Sequence, residues 1–227
     1  MKERPILFSV PMVRAILDGR KTQTRRIVKP QPGDIGAASL QGPIRWRQHI
    51  PVWCYTSNSG KIGIFNPSEI TCPHGADGDR FWVRESWRTS RTLNHVKPSM
   101  LAPGAPILFD SDGWADGFPL GFDKGKGRPS IFMPRWASRI TLEITGVRVE
   151  RVQDITEADA MAEGCDLMLS DGRAIRDLPD ADLWDYRMAF EGLWDSINGK
   201  RKDKDGNSLP YSFSDNPFVW VITFKRV

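Results

Sequence analysis

The sequence predicts an α+β domain built on a small mixed β-barrel, with flanking helices and two long, loop-rich insertions. Three observations point there. Short apolar or alternating runs at residues 6–8, 80–87, 138–152 and 218–224 have the character of strands. Three other stretches carry helical spacing or capping signals, and two Gly/Pro-rich segments at about 30–77 and 88–137 separate the regular pieces. The chain shows neither an internal repeat nor a clean linker, so one domain over 1–227 is expected, long enough to bury a core.

In chain order, residues 6–8 suit a first strand, and Ser9 suits a helix N-cap with Pro11 in the first turn, where its missing N–H matters least. Met12, Val13, Ile16 and Leu17 then fall at helical spacing, and Gly19 suits the left-handed position that ends a helix. From Thr22 a strand is expected, with Thr22, Thr24 and Arg26 on one face and Lys21 reaching the same place from the turn. In the first insertion, Trp46, Val52, Trp53, Tyr55, Ile62, Ile64 and Phe65 suggest one or two hairpins.

A Gly78-Asp79 turn leads into RFWVRESW, where Phe81, Val83, Glu85 and Trp87 alternate with Trp82, Arg84 and Ser86. Glu85 therefore shares the apolar face and needs a partner, such as Arg26 or Arg84. The second insertion, broken by Ile107 to Phe109 and by Trp114, gives no helix signal and reads as loop-dominated. Residues 138–152 form a long strand with a bulge at Gly146. DITEADAMAEG then makes a helix of about two turns, with Thr156 and Asp159 as capping box and Gly164 as C-cap. Leu183, Tyr186, Phe190, Leu193, Trp194 and Ile197 form the stripe of the longest helix, and FVWVITF reads as a buried closing strand.

Composition excludes several classes. Hydrophobic content of 40% and charged content of 26% are those of a soluble globular protein, and no apolar run approaches a membrane span. No leader is evident, and three cysteines are too few for a disulfide framework, so a cytoplasmic setting is expected. A net charge of +4 is mild for a nucleic-acid binder. The nine tryptophans could fill a core or stack on bases.

The stretch that carries chemistry is GRKTQTRR, residues 19–26. A desolvated lysine with a lowered pKa can take the proton of a threonine hydroxyl, so Lys21 and Thr24 suit a nucleophilic pair. On sequence alone, a cluster such as Lys21, Thr24, Arg25 and Arg26 is more often a solvated or anion-binding face than a catalytic site. Glu163 stands at the end of the short helix, where a carboxylate opposes the helix dipole; a solvated terminal glutamate is its plain reading.

Gly19-x-Lys21-x-x-Thr24-x-Arg26 resembles the signature of the ASCH domain family, relatives of the PUA fold, whose usual pattern is Gly-x-Lys-x-x-Glu-x-Arg. The Gly78-Asp79 turn, Glu163-Gly164 and the closing apolar strand follow in the family's order. RFWVRESW and IFMPRWASRITLEITGVRVERVQDIT are also similar to uncharacterised ASCH proteins of phages and prophages. The resemblance implies a PUA-like barrel, and Thr24 in place of the usual glutamate implies kinship with a subgroup similar to an N4-acetylcytidine amidohydrolase. Carried over on that basis, Lys21, Thr24 and Glu163 are catalytic, and no metal or other cofactor is needed. Gly19, Arg25, Arg26, Arg84 and Glu85 are candidates for substrate contacts. The implied partner is a modified nucleoside or, as the alternative, single-stranded RNA or DNA bound in the same basic cleft, with or without nuclease activity. The two insertions are foreign to that compact enzyme, so the substrate can differ.

Other sites are weaker. Cys54, Cys72 and His74 invite zinc, but only Cys72-x-His74 is close-spaced and a fourth ligand is not evident. His49, His74 and His95 stand in loops without a serine-centred motif. Gly121 to Gly127 lacks the strand-and-helix context of a phosphate loop. The sequence carries no signal of oligomeric state.

Overall fold

The computed structural model describes residues 1–29, 31, 72–113, 123–165 and 186–227, with the backbone alone of 45–47, 50–52, 54–56 and 62–64. Its elements are β1 (Glu3–Leu7), α1 (Val10–Leu17), β2 (Gln23–Ile27), β3 (Arg45–Arg47), β4 (Ile50–Val52), β5 (Cys54–Thr56) and β6 (Ile62–Ile64). They continue with β7 (Arg80–Arg84), β8 (Trp87–Ser90), β9 (Leu108–Phe109), β10 (Lys124–Arg128), β11 (Thr141–Arg151), α2 (Glu157–Ala162), α3 (Tyr186–Asn198) and β12 (Phe218–Arg226).

Mixed helices and strands agree with the expected α+β class, but the barrel does not form. The main sheet has five strands in the order β1-β7-β11-β12-β2, with β1 parallel to β7 and β11 antiparallel to it. A barrel needs its first and last strands to pair, whereas β1 and β2 remain edges, so the sheet is open. Of the one or two hairpins expected in the first insertion, two are present, β3–β4 and β5–β6, both antiparallel. The side chains named there, and Trp114, lie outside the described residues. Among the described residues no helix is long and apolar enough to cross a membrane.

The residues fall into two compact units of interleaved segments. The first comprises Met1–Thr22, Gly75–Thr145 and Thr223–Val227. Its helix α1 buries Val13, Ala15 and Ile16 and stops where Gly19 takes a φ of +76°, a conformation that costs glycine little. The amides of Arg20 and Lys21 then both donate to the Ala15 carbonyl, at 2.8 and 2.9 Å, closing the helix end.

The strand expected over 80–87 divides instead into β7 and β8, with Glu85 and Ser86 between them. Trp87 belongs to a second, three-stranded sheet in the order β10-β8-β9. That sheet lies over its own core of Trp87, Leu101, Met133 and Ala137. The second insertion is therefore not merely loops. β10 escapes a hydrophobicity reading because KGKGR contains no apolar side chain at all. Gly125 is required there, since a Cβ would come within 2.3 Å of the Thr89 carbonyl oxygen.

Asp79 ties the turn before β7 to the N-terminal strand, accepting from the Lys2 amide at 2.7 Å and from Arg4 Nη1 at 2.8 Å. The Arg4 hydrogen bond, followed by the Lys2 amide, holds its carboxyl down at about 2 against an ordinary 3.8. The folded value lies below the unfolded one, so this contribution is complete above about pH 4 and is lost as pH falls through about 2. Asp79→Asn is expected to flatten the acid limb of stability between those values, read by urea midpoints across pH. An unchanged limb would rule out this carboxylate as a source of acid sensitivity.

The second unit comprises Gln23–His74 and Gly146–Ile222. Its core gathers Val152, Ile155, Ala160, Phe190, Trp194, Phe213, Val219 and Val221. The capping box forms as expected, with the Asp159 amide donating to Thr156 Oγ1 at 3.1 Å. Glu157, from the first turn of α2, also caps α3, accepting from the Tyr186 and Arg187 amides at 2.8 and 3.2 Å. These bonds fix the two helices end to side, and with them the end of α2 where Glu163 sits.

Candidate functional site

The basic motif begins in the first unit. Lys21 follows the capped end of α1 and is only 2% exposed. Its Nζ lies 5.4 Å from the centre of the Phe8 ring, which itself packs on Phe224 at 6.2 Å. A buried ammonium over an aromatic face is a cation–π arrangement, not a solvated surface lysine. Gly19 serves as the helix cap.

The remainder of the motif forms β2 in the second unit. Gln23, Thr24 and Arg25 are all buried, whereas Thr22 is exposed and Arg26 half-buried. Three consecutive buried polar residues demand partners. Arg25 supplies most of the answer. Its Nη1 pairs with Glu163 Oε1 at 3.1 Å, and its Nη2 reaches both Glu150 Oε2 and Asp159 Oδ2 at 3.3 Å. Its other face lies against Phe190, 5.7 Å from the ring centre. Gln23 Nε2 donates to the Asp159 carbonyl at 2.7 Å and to its carboxylate at 3.0 Å. Arg148 completes the cluster through ion pairs to Glu150 and Asp159.

Glu163 departs most from its plain reading. It is the residue that ends α2, it is 4% exposed, and its carboxylate faces inward onto Arg25. Position alone would make it unfavourable, because the carbonyl end of a helix repels an anion. The guanidinium offsets that. Arg26 is held below its ordinary value, chiefly by burial, with Glu163 opposing that effect and Arg201 adding to it. Burial works to raise the Asp159 carboxyl, but the hydrogen bonds from Gln23 and Thr156 and the charge of Arg25 outweigh it and hold it low. The cluster thus sets three carboxylates against Arg25, Arg26 and Arg148.

No protein-family model, curated protein or solved structure matches the chain. Its chemistry therefore rests on these side chains.

Arg84 and Glu85 belong to the first unit and do not pair with each other. The Arg84 guanidinium stacks on Trp82 at 4.6 Å. Glu85, buried as its alternation demands, is met by Arg139 at 3.0 and 3.1 Å and by the Ser111 hydroxyl. The partner is thus neither Arg26 nor Arg84, because the chain leaves strand geometry after Arg84 and turns Glu85 toward Arg139, two residues before β11. Burial acts to lower the Arg139 pKa, yet Glu85 and Asp112 together hold it raised. Every charge in this group is answered from within the protein, which makes it a structural latch.

Among the described residues no three His, Cys, Asp or Glu side chains gather as metal ligands do. The side chains of Cys54 and His49, and residues 121–122, lie outside the described residues. Glu150, Gln23 and Arg148 are the cluster members that the sequence did not announce. Asp159 was visible only as a helix cap. The capping box signals that one role, and nothing in the local pattern signals that the same carboxylate meets an arginine on a distant strand.

Proposed function

We propose that the protein is an ASCH-type amidohydrolase that removes the acyl group from an N4-acylated, cytidine-like base. The observation that carries this reading is Glu163, buried at the C-terminal end of α2 with its carboxylate 3.1 Å from Arg25. A carboxylate kept in an unfavourable helix position, and then neutralised by a buried guanidinium, has been oriented.

In this mechanism Thr24 Oγ1 attacks the amide carbonyl carbon as a general base takes its proton, the role that the family resemblance gives to Lys21 in its neutral amine form. Arg26, beside Glu163 and half-buried, donates to the developing oxyanion. The C–N bond breaks as the base amine receives a proton, with Glu163 guiding that transfer. Water then cleaves the acyl–threonine ester, releasing the carboxylate and restoring the hydroxyl. Arg25 touches no substrate here; it positions Glu163.

The test is release of acetate from N4-acetylcytidine by the purified protein, followed by chromatography of the freed nucleoside. Turnover supports the reading. Silence across a panel of N4-acylated nucleosides overturns it in favour of a nucleic-acid-binding role for the basic motif.

A further inference from the structure

One cation beside the Glu163 cluster has no counter-ion among the described residues. Arg201 follows α3, is exposed, and its charge reaches Arg26. It pairs with none of Glu150, Asp159 and Glu163, which are taken by Arg25 and Arg148. Asp203, the acid closest to it in sequence, is engaged by its own turn. That carboxylate accepts from the Asp205 and Asn207 amides at 2.8 and 2.9 Å and from Asn207 Nδ2 at 3.1 Å. Two guanidiniums in each other's field repel, and an anion bound at Arg201 relieves that repulsion.

Exposed Lys200 and Lys202 on either side would alone mean only a solvated loop. Arg201 is held in place. Its amide donates to the Asn198 carbonyl at 3.1 Å and its Nε to the Ile197 carbonyl at 3.4 Å, which draws the side chain back onto the end of α3. Its own carbonyl accepts from the Leu209 amide at 2.9 Å, and Lys202 bridges to Ser208, so the following loop closes on itself. The chain returns through Tyr211, whose carbonyl accepts from the Trp194 indole at 2.8 Å. There it meets the strand that carries Arg26, because Lys29, two residues beyond β2, lies over the Tyr211 ring at 5.5 Å. The two Nη groups of Arg201 make no hydrogen bond within the protein. They present the planar fork that takes a phosphate through two parallel bonds.

We propose that Arg201 binds the 5′-phosphate of the substrate, so that the acylated base is taken as a nucleoside monophosphate in preference to a free nucleoside. The identity of the base rests on the amidohydrolase reading; the anion site lies wholly within the second unit. The free nucleoside is then a weaker ligand of the same site.

Titration calorimetry with cytidine and with cytidine 5′-monophosphate, the products of the two candidate substrates, tests it without any turnover. The monophosphate should bind at least about tenfold more tightly, in keeping with charge-assisted hydrogen bonds to a phosphate. Arg201→Ala should bring the two affinities together. Arg201→Lys should keep part of the difference, since it retains a point charge but not the fork, and Arg201→Glu should reverse it. Lys126→Ala, which removes the same charge from the first unit, should keep the whole difference. Equal affinity of the unaltered protein for the two ligands overturns the proposal, as does no detectable binding of the monophosphate at about 1 mM. So does a preference that survives Arg201→Ala, or one that Lys126→Ala diminishes equally. A cytidine trinucleotide that binds more tightly than the monophosphate also overturns it, because a strand would then be the ligand. Circular dichroism confirms that each variant is folded. Monophosphate binding through Arg201 without acetate release would sink the amidohydrolase reading alone, and acetate release without a preference for the monophosphate would sink this inference alone.

Discussion

Thr24→Val is expected to lower acetate release from N4-acetylcytidine by at least about 10³-fold while leaving the protein folded, because it removes the nucleophile and keeps the shape. Valine is β-branched like threonine and suits a strand, and the position is buried, so the substitution exchanges a hydroxyl for a methyl with little repacking. Thr24→Ser keeps an oxygen and should retain a measurable part of the rate. Glu163→Gln should cost about 10²- to 10⁴-fold, the range of a positioned acid–base group. Parallel assays with the free nucleoside and circular dichroism separate lost chemistry from lost structure. A Thr24→Val protein with undiminished turnover would remove threonine from the mechanism and leave direct attack by water as the alternative.

Arg25→Met is expected to destabilise the protein by about 3–5 kcal/mol, the penalty of stranding a buried charge. At about 2–4 °C per kcal/mol for a chain of this size, the melting temperature should fall by roughly 6–20 °C. The three carboxylates do not share the loss equally. Glu150 and Asp159 keep side-chain exposures of 25% and 24%, so water can still solvate them, whereas the Glu163 side chain keeps only 5%. Most of the penalty therefore falls on Glu163. The double variant Arg25→Met with Glu163→Gln should be more stable than Arg25→Met alone, since a neutral amide is cheaper to bury than an unpaired carboxylate. Thermal denaturation of the four proteins closes that cycle. A shift of less than about 2 °C for the single change would mean that the guanidinium does not hold the cluster together.

What the sequence discloses depends on the distance over which its signals act. The end of α1 at Gly19, the Thr156–Asp159 box and the apolar closing strand are all local, and each forms as expected. The choice between a barrel and an open sheet is made by pairing between strands far apart in the chain, about which local pattern is silent. The same holds for charges. Glu85 was legible as a buried carboxylate from its place in an alternating run, but Arg139 lies 54 residues away and no spacing rule reaches it. Arg25 and Glu163 are separated by 138 residues. The small sheet was hidden for another reason, because β10 reads KGKGR and is held by backbone bonds rather than by an apolar face.

The segmented make-up of the first unit bears on how the chain is made. Residues 1–22 are made about two hundred positions before residues 223–227, yet their unit is not complete until the latter have followed. Val227 donates to the Thr141 carbonyl at 3.1 Å, and Lys225 pairs with Glu143 at 3.0 Å, so these residues clasp a strand synthesised some eighty positions earlier. At about 5–20 residues per second, that wait lasts on the order of ten seconds or more. Throughout it the apolar side chains of Ile6, Val13 and Ile16 lack their finished core. A nascent chain in that condition is a natural client for holding chaperones, and ribosome stalling late in the message would leave the first-made helix as the part most exposed to aggregation.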